Sequence, residues 1–385
     1  MSTNKNRDNR LLFYPKKKQC IQWVTWQPTP YHNYFFEHLA QDHSVNLLVH
    51  FLKRVVPTHP WKTVVPDGYK SRFCKMRMGV DWYLIWRGIT EKKAFFVIVG
   101  WNQTTYILLL SILRILRRNY ALWTDTPKPY SKRSMLFAWA RTRYLRWIFA
   151  GARAVMGTGT HATSILEQMG APQDHVVNFP TFPNLSALRK RSNHGHDVRQ
   201  TVRIISVGCI TNHVKGHDLA VSALSKVARM GIALPFEYAI AGDGPDVDNL
   251  AQLVQMLKLE ENIKILGWLE PEEVKAVYQK SDLLIHPSPV HDPYPNAVLD
   301  GMAAGLVVFV SDACGQAHER ITHGVNGFIH RAGDVEQLAT QVAELLQHPE
   351  RIQEIGKKAL ETAEQWPVER GVTIIKQIIF SCAAS

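Results

Sequence analysis

The stretch Asp282–Asp312, DLLIHPSPVHDPYPNAVLDGMAAGLVVFVSD, decides the fold of this 385-residue chain. Two short apolar runs, 283–286 and 305–310, are bounded by Pro, Gly and Asp, which predicts buried parallel strands. Between them, Pro295 suits the first position of a helix because its missing N–H costs nothing there, and Gly305 suits the left-handed conformation that ends one. The stretch is therefore predicted to be a strand–loop–helix–strand unit.

The two carboxylates of this unit are candidate ligand-binding groups. Asp292 lies in the loop after the first strand, and Asp300 lies about one and a half turns into the helix. Open α/β sheets bind ligands at the carboxyl ends of their strands, and the free N–H groups of a helix start bind phosphate. These features predict a ligand with phosphate and hydroxyl groups, such as a sugar nucleotide. The alternative is that Asp292 only caps the helix or interacts with its dipole.

Strand and helix patterns alternate along the chain and predict two domains, as its length also does. The alternation predicts parallel sheets that are covered by helices on both faces. The predicted boundaries are residues 1–185 for an N-terminal domain, 186–200 for a polar linker, 201–365 for a C-terminal domain and 366–385 for a terminal helix. The strands are predicted at residues 20–25, 45–51, 95–99, 120–124, 154–158, 202–207, 236–240, 263–266, 283–286 and 305–310.

Several segments carry weaker patterns. Residues 52–93 are predicted to be irregular or to form short strands, residues 27–32 and 208–216 are predicted to be loops, and residues 323–327 are predicted to be a turn. Residues 241–245 are predicted to form a tight turn whose glycines need positive φ. The predicted helix 131–150 mixes Arg with aromatic residues, so it either lies on a membrane surface or packs on its own domain with a solvated Arg face.

The charge is divided unequally between the two halves of the chain. Residues 1–200 contain 30 Lys and Arg against 10 Asp and Glu, whereas residues 201–385 contain 15 against 23. The halves therefore carry about +20 and −8. This asymmetry predicts that the first half faces something anionic, which is a nucleic acid, an anionic membrane surface or an acidic glycan.

Cysteine usage and hydropathy bear on the compartment. The five cysteines are scattered and form no Cys-x-x-Cys pair, which predicts neither a disulfide framework nor a zinc site and favours a reducing compartment. The start, MSTNKNRDNR, has no apolar core of a signal peptide. The most apolar run, Tyr106–Leu116, is too short to span a bilayer. The expected location is the cytoplasm, including the inner face of the cell membrane.

The stretch 282–312 resembles the donor-site signature of the retaining GT-B glycosyltransferases of family four, or group 1 glycosyltransferases. In that signature two acidic residues, usually Glu, are separated by seven residues, and a Gly-Phe-Pro-like turn precedes the helix. In this chain the pair is Asp292 and Asp300, and the turn is Pro293–Asn296. The resemblance implies a GT-B fold, in which two Rossmann-like α/β domains with parallel sheets face each other across a cleft. It also implies that the terminal helix returns to the first domain.

The resemblance implies roles for residues of the second domain. The loop VGCITNHVKG resembles the family's diphosphate-binding loop, with Lys215 as its cation and Cys209 in place of the usual Arg. Asp292 and Lys215 are implied to be catalytic, with Asp292 on the transferred sugar and Asp300 on the ribose. Trp268 either stacks on the base or fills the domain interior. Beyond Lys215 and Asp300, the implied donor-binding residues are Gly208, Gly242, Gly244, Trp268, Leu269, Tyr294, Pro295, Asn296, Ala297 and Glu319.

In the first domain, Asp125 lies where many family members carry a His near the reacting anomeric carbon. It is a candidate catalytic residue, and the alternative is that it caps a turn before Pro127. Pro30, Tyr31 and His32 lie where the family's acceptor cleft begins and are candidate acceptor-binding residues, with His32 a candidate base. No metal motif is found, and the resemblance implies metal-independent chemistry without a cofactor and a UDP-sugar rather than a GDP-sugar as donor.

The predicted function is the transfer of a sugar from a nucleotide diphosphate donor to an acceptor hydroxyl with retention, in the synthesis of bacterial surface polysaccharide, lipopolysaccharide or glycolipid. The acceptor is predicted to be a saccharide, free or lipid-linked, and the basic half predicts peripheral contact with an anionic membrane. Cys209 and the missing His leave the alternative of a related protein that binds a sugar nucleotide or glycan without turnover. Nucleic acid is not a predicted partner, because the chain has no recognised reading motif.

Overall fold

The computed structural model describes residues 18–54, 65–127, 134–189, 200–315 and 317–380. Most of the predicted linker, 190–199, lies outside the described residues. The described chain forms two α/β units, each built on one parallel sheet. This architecture confirms the sequence prediction of two parallel-sheet domains.

The first sheet has seven strands and helices on both faces. Its strands are β1 (Gln19–Thr25), β2 (Val45–Phe51), β3 (Lys70–Phe73), β4 (Phe95–Val99), β5 (Asn119–Thr124), β6 (Ala154–Gly157) and β7 (Val176–Asn178). All pairs are parallel and the order is β3-β2-β1-β4-β5-β6-β7. Its helices are α1 (Pro30–Gln41), α2 (Trp82–Thr90), α3 (Thr104–Ile115), α4 (Met135–Phe149) and α5 (Thr160–Gln168).

The second sheet has six strands. They are β8 (Val202–Val207), β9 (Phe236–Ala241), β10 (Ile263–Gly267), β11 (Leu283–His286), β12 (Val307–Ser311) and β13 (Phe328–His330), in the parallel order β10-β9-β8-β11-β12-β13. The remaining helices are α6 (Leu185–Leu188), α7 (Asn212–Lys215), α8 (His217–Arg229), α9 (Val247–Met256), α10 (Pro271–Lys280), α11 (Asn296–Ala303), α12 (Ala317–Arg320), α13 (Val335–Gln347), α14 (Glu350–Ala363) and α15 (Val368–Phe380).

The helices divide between the two faces of the first sheet, as right-handed crossovers require when the strand order reverses. On one face, α1 and α15 share a hydrophobic cluster with Trp23 and Phe179. On the other face, α2, α3, α4 and α5 share a cluster with Phe96 and Leu122. Lys376 of α15 donates to Asp42 at 2.7 Å. The last described helix, α15, therefore packs on the first unit.

The structure corrects the predictions for two segments of the first unit. Residues 52–93 contain β3 and the helix α2, which begins where the Asp81 side chain accepts from Leu84 N at 2.8 Å. Residues 27–32 are not all loop, because α1 begins at Pro30, and the Thr29 side chain caps it by accepting from His32 N. In both cases the signal was present as a cap residue followed by helical spacing of apolar residues.

Three smaller corrections concern the second unit. The predicted loop 208–216 contains the short helix α7, and the short helix α12 was not predicted. Pro295 is the N-cap of α11 and not its first helical residue. Gly305 takes the predicted left-handed conformation, with φ of 74°. Over the described ranges, no helix is both long enough and apolar enough to cross a membrane.

Candidate functional site

Asp292 lies in the loop between β11 and α11 and is held by three donors. Its Oδ2 atom is 2.6 Å from Lys215 Nζ, 2.8 Å from His286 Nε2 and 3.1 Å from Ser288 Oγ. Burial by itself would raise the pKa of this carboxyl, but the hydrogen bond and charge of His286 and the charge of Lys215 lower it well below its usual range. The carboxylate is therefore ionised at neutral pH.

Lys215 reaches Asp292 because two loops approach each other closely. Gly216 follows Lys215 in the left-handed conformation, with φ of 69°, and separates α7 from α8. A Cβ atom on Gly216 would lie 2.6 Å from the carbonyl oxygen of Pro287. Only glycine satisfies both the conformation and the contact, and this brings the ammonium group to the loop after β11.

The glycines after β9 have a different role from the one predicted. Neither Gly242 nor Gly244 is among the glycines with positive φ. Instead, a Cβ atom on Gly242 would lie 1.8 Å from Gly208 O, and one on Gly244 would lie 2.3 Å from Ile210 O. These glycines permit two backbone segments to pack directly, and Ile210 N donates to Asp243 O at 3.0 Å. The packing positions the loop that carries Lys215.

The start of α11 has no side-chain cap, so its first N–H groups can donate to a bound anion. Asp300 lies further along this helix and is 6% exposed. Burial raises its pKa to about 7, although a hydrogen bond from Tyr31 and the charge of Lys275 act in the opposite direction. Its Oδ1 atom has no hydrogen-bond partner among the described residues. A buried oxygen that can still accept a hydrogen bond suits a ligand hydroxyl.

Side chains of the first unit reach the same region from across the cleft. Tyr31 OH donates to Asp300 Oδ2 at 2.7 Å, and Thr181 Oγ1 donates to Asn296 Oδ1 at 2.7 Å. Glu319 accepts from Asn178 Nδ2 at 2.9 Å and from Thr160 N at 3.1 Å. The two units are therefore joined directly at the start of α11. The donor-binding role of Glu319 stays a prediction, because its contacts are to the first unit.

Asp125 faces the cleft at the carboxyl end of β5. It is exposed to solvent but enclosed by both units, and this enclosure raises its pKa, with the negative charge of Asp292 adding to the rise and Thr158 opposing it. Asp125 therefore lies at the carboxyl edge of the first sheet, and the negative charge of Asp292 acts on it.

The predicted acceptor residues occupy the first turn of α1. Tyr31 is engaged with Asp300, and His32 packs against Trp123 with ring centroids 5.0 Å apart. Burial lowers the pKa of His32 to about 4, so the ring is neutral at pH 7. A cavity of about 300 Å³ opens nearby at the carboxyl ends of β4 and β5. It is lined by Gly100, Trp101, Asn102, Thr124, Thr126, Pro127 and Arg141.

The other predicted donor residues surround the carboxyl edge of the second sheet. Trp268 is 39% exposed, so the alternative that it fills the domain interior is wrong, and stacking on a base stays a prediction. Leu269 is partly buried against the core of the second unit. Tyr294 is buried beside Gly159 of the first unit, and the Arg320 guanidinium lies 5.4 Å from its ring centroid.

Three polar residues of the site escaped sequence analysis. His286 and Ser288 contact Asp292, and His217 opens α8 beside Lys215. His217 is 1% exposed, and burial, together with the nearby charges of His286 and Lys215, lowers its pKa to about 3. Two signals were available in the sequence. His286 ends a buried strand, and His217 follows the glycine at the start of α8.

A metal site was not predicted. Within the five described ranges, no group of three or more His, Cys, Asp or Glu side chains is arranged to hold a metal ion. A larger open groove of about 540 Å³ lies beside β13 and α13, but none of the predicted donor residues lines it. The candidate reaction site is therefore the region between Lys215, Asp292 and the start of α11. There a cation and free N–H groups can stabilise an anionic leaving group.

Comparisons with known proteins show which families and folds the chain resembles. Residues 189–362 match the family described as glycosyl transferases group 1. Over 186 residues the chain is 31% identical to the amylovoran biosynthesis glycosyltransferase AmsK of Erwinia amylovora, which covers 46% of this chain and 44% of that protein. Over 226 residues it is 27% identical to the GDP-mannose-dependent alpha-(1-6)-phosphatidylinositol monomannoside mannosyltransferase of Mycolicibacterium smegmatis, which covers 56% and 54%. The matches span about half the length or less of these curated relatives.

The structural similarity extends over nearly the whole chain. The structure of HepE from Anabaena in complex with UDP superimposes with a TM-score of 0.73 at 16% sequence identity, and covers 94% of this chain and 100% of that one. Identity at this level establishes the fold alone. The fold is GT-B, as predicted, with two parallel-sheet α/β domains.

Proposed function

We propose that this chain is a glycosyltransferase that moves a sugar from a nucleoside diphosphate to an acceptor hydroxyl in the synthesis of a bacterial extracellular polysaccharide or glycolipid. The observation that carries the proposal is the Lys215–Asp292 pair, at 2.6 Å, beside the uncapped start of α11 and within the segment that matches the family. Its place at the carboxyl edge of a parallel sheet, facing a second domain, is where α/β proteins bind nucleotides.

The donor is proposed to lie along α11. Its diphosphate would sit between Lys215 and the N–H groups of Asn296 and Ala297, and the ribose hydroxyls would donate to Asp300. As the bond from the anomeric carbon to the phosphate oxygen breaks, the Lys215 ammonium and the helix dipole would neutralise the charge on the departing diphosphate. Asp292 would then orient Lys215 and meet the sugar through its remaining oxygen.

The acceptor is proposed to enter from the first domain. The cavity lined by Trp101 and Arg141 lies beyond Asp125 at the same edge of the first sheet, and its size suits a single sugar ring. Retention of the anomeric configuration and independence of metal belong to the proposal through the resemblance of the Asp292–Asp300 stretch. Asp125 would support positive charge on the sugar or orient the acceptor hydroxyl.

The test is nucleoside diphosphate release from a panel of UDP- and GDP-sugars with saccharide and lipid-linked acceptors. UDP-sugars come first because HepE was solved with UDP, and GDP-mannose is included because the mycobacterial relative is named for it. We expect release with one donor, unchanged by EDTA, and a product whose anomeric proton coupling matches the donor's. Release that requires a divalent cation, or an inverted product, would contradict the respective part of the proposal.

A second candidate function is binding of a sugar nucleotide without turnover. It is favoured by two observations: Cys209 stands where the family has a cation, and Tyr31 of the first domain already occupies Asp300. Isothermal titration with UDP and GDP, run beside the release assay, separates the candidates. Tight binding without release for every donor and acceptor pair would support the second candidate and contradict the first.

A further inference from the structure

The outer surface of the first domain exposes an unusual number of large apolar side chains. Fifteen of the twenty-one exposed large apolar residues found in the described part of the chain lie between residues 76 and 147. They belong to α2, α3, α4 and the loop before α2. They are Met76, Met78, Trp82, Tyr83, Trp86, Ile89, Ile107, Leu108, Ile115, Leu116, Met135, Leu136, Phe137, Trp139 and Trp147.

These three helices form one continuous layer, which we call the outer helical layer (residues 76–94, 104–118 and 135–153). Arg118, just beyond α3, donates to Ile89 O of α2 at 2.6 Å, and Arg114 of α3 donates to Trp147 O of α4 at 3.2 Å. Tyr144 OH of α4 also donates to Ile107 O at 3.0 Å. Because the helices are bonded side by side on one face of the sheet, their exposed side chains belong to a single surface.

Packing within the domain does not account for the outward apolar side chains. On α2, Leu84 and Ile85 point into the core, whereas Trp82 and Trp86 are each 55% exposed. On α4, Leu145, Ile148 and Phe149 are buried, but Trp139 is 62% exposed. The helices are therefore apolar on two sides, and a contiguous apolar surface of this kind usually marks an interaction site.

The same layer is strongly basic. Its residues contain 11 Lys and Arg against 2 Asp and Glu, a net charge of +9 in a chain whose total is +12. Both acidic residues are paired: Asp81 is buried against Arg72, and Glu91 contacts Arg87. The solvent-exposed cations on or beside the layer are Arg77, Lys92, Lys93, Arg117, Arg143, Arg146 and Arg153.

We propose that the outer helical layer docks on an anionic lipid bilayer. Tryptophan and aliphatic side chains enter the interface of a bilayer, while Arg and Lys extend to its phosphates, so one surface can use both sets of residues. A second copy of the chain is a poor occupant, because a two-fold interface would bring two surfaces of charge +9 together. A nucleic acid would match the cations but not the exposed Met, Ile and Leu side chains.

Docking in this way has a consequence for the acceptor. Arg141, on the same helix as Trp139, lines the 300 Å³ cavity at the cleft. The bilayer would therefore lie close to the proposed acceptor site, which favours an acceptor anchored in the membrane. This consequence rests on the proposed function, whereas docking itself does not and is measured without any sugar nucleotide.

The experiment is flotation of the full chain with vesicles of phosphatidylcholine alone or with added phosphatidylglycerol, across a salt series. We expect flotation with the anionic vesicles only, and weakening with salt as surface charges are screened. Arg143→Glu with Lys93→Glu should weaken binding by about tenfold or more, since each cation near an anionic surface contributes roughly fivefold. Trp86→Ser with Trp139→Ser should weaken binding at every salt concentration.

Matched controls come from exposed residues of the second domain. Arg229→Glu with Lys357→Glu, and Met230→Ser with Met256→Ser, change the same kinds of side chain elsewhere and should leave flotation unchanged. Thermal melts confirm that each variant is folded. Failure of the wild type to float, or equal weakening by the controls, overturns the proposal. A dimer in sedimentation that Trp86→Ser with Trp139→Ser dissociates overturns it in favour of self-association.

Discussion

The two carboxylates of the candidate donor site lie eight positions apart in one strand–loop–helix unit, yet their surroundings are opposite. Asp292 receives three donors, including the Lys215 ammonium, and its pKa is lowered. Asp300 receives one, from Tyr31, and its pKa is raised to about 7. Charged partners therefore dominate at Asp292, and desolvation dominates at Asp300. The same side chain is a structural anion at one position and a titratable group at the other.

The largest expected effect tests the charged partner of Asp292. Lys215→Met should reduce turnover by on the order of a hundredfold or more, because it removes the cation that would stabilise the departing diphosphate. Nucleoside diphosphate release, measured with saturating donor, provides the readout. Lys226→Met removes a surface lysine that pairs with Glu336 and should leave turnover unchanged. Equal loss in both variants would mean that general destabilisation explains the effect.

The second prediction concerns stability and has opposite signs at the two carboxylates. Because the folded protein binds a proton at Asp300 more tightly than the unfolded chain does, this group lowers stability as pH rises from about 4 to 7. Asp300→Asn removes that penalty and should stabilise the protein at pH 8, by on the order of 2 kcal/mol, with little effect near pH 4. Urea unfolding at both pH values measures it.

Asp292→Asn should act in the reverse direction. Its lowered pKa contributes stability that is present above pH 4 and is lost as pH falls through the folded value. Replacing it leaves Lys215 and His286 without their anion and should destabilise the protein at neutral pH by on the order of 2 kcal/mol. If both Asn variants shift stability in the same direction, the contrast between the two environments is wrong.

The third prediction concerns ligand binding and pH. A carboxylate accepts ribose hydroxyls better than a protonated carboxyl does, so affinity for the preferred nucleoside diphosphate should rise between pH 6 and 8 as Asp300 ionises. With a pKa of about 7, the ionised fraction changes by about tenfold over this range. Titration calorimetry across the range should show this rise in the wild type and a flat profile in Asp300→Asn. A flat wild-type profile would exclude Asp300 as a ribose ligand.

The smallest expected effect comes from the contact across the cleft. Tyr31→Phe removes the hydroxyl that occupies Asp300 Oδ2, so nucleoside diphosphate affinity should increase by about fivefold, the worth of one ordinary hydrogen bond. The pKa of Asp300 should also move further upward, because the lowering contribution of Tyr31 is lost. Tyr34→Phe, on the same helix but without a contact to Asp300, is the control. Weaker binding in Tyr31→Phe would mean that Tyr31 contacts the ligand itself.

Much of the fold was readable from local patterns. The bounds of Val45–Phe51, Phe95–Val99 and Leu283–His286 were predicted to the residue, because apolar spacing and flanking Pro, Gly or Asp are properties of adjacent residues. The helix α2 was missed since charged and proline-rich surroundings obscured the cap at Asp81. The sequence indicated that Gly242 is a special position, but it did not show that the reason is a close backbone contact with Gly208. That contact is made by a remote part of the chain, so the residues next to Gly242 do not reveal it.

The sequence by itself determined the strand–helix alternation that gives two parallel-sheet domains, the positions of Lys215, Asp292 and Asp300 along the chain, and the concentration of positive charge in the first half. Only the tertiary structure decided that Tyr31 would meet Asp300 across 269 positions, that His286 and Ser288 would join Lys215 on one oxygen, and that the apolar surfaces of three helices would form one layer. Local structure depends on residues within a few positions of one another. A pKa, a shared oxygen and a continuous surface depend on distances that packing sets between remote parts of the chain.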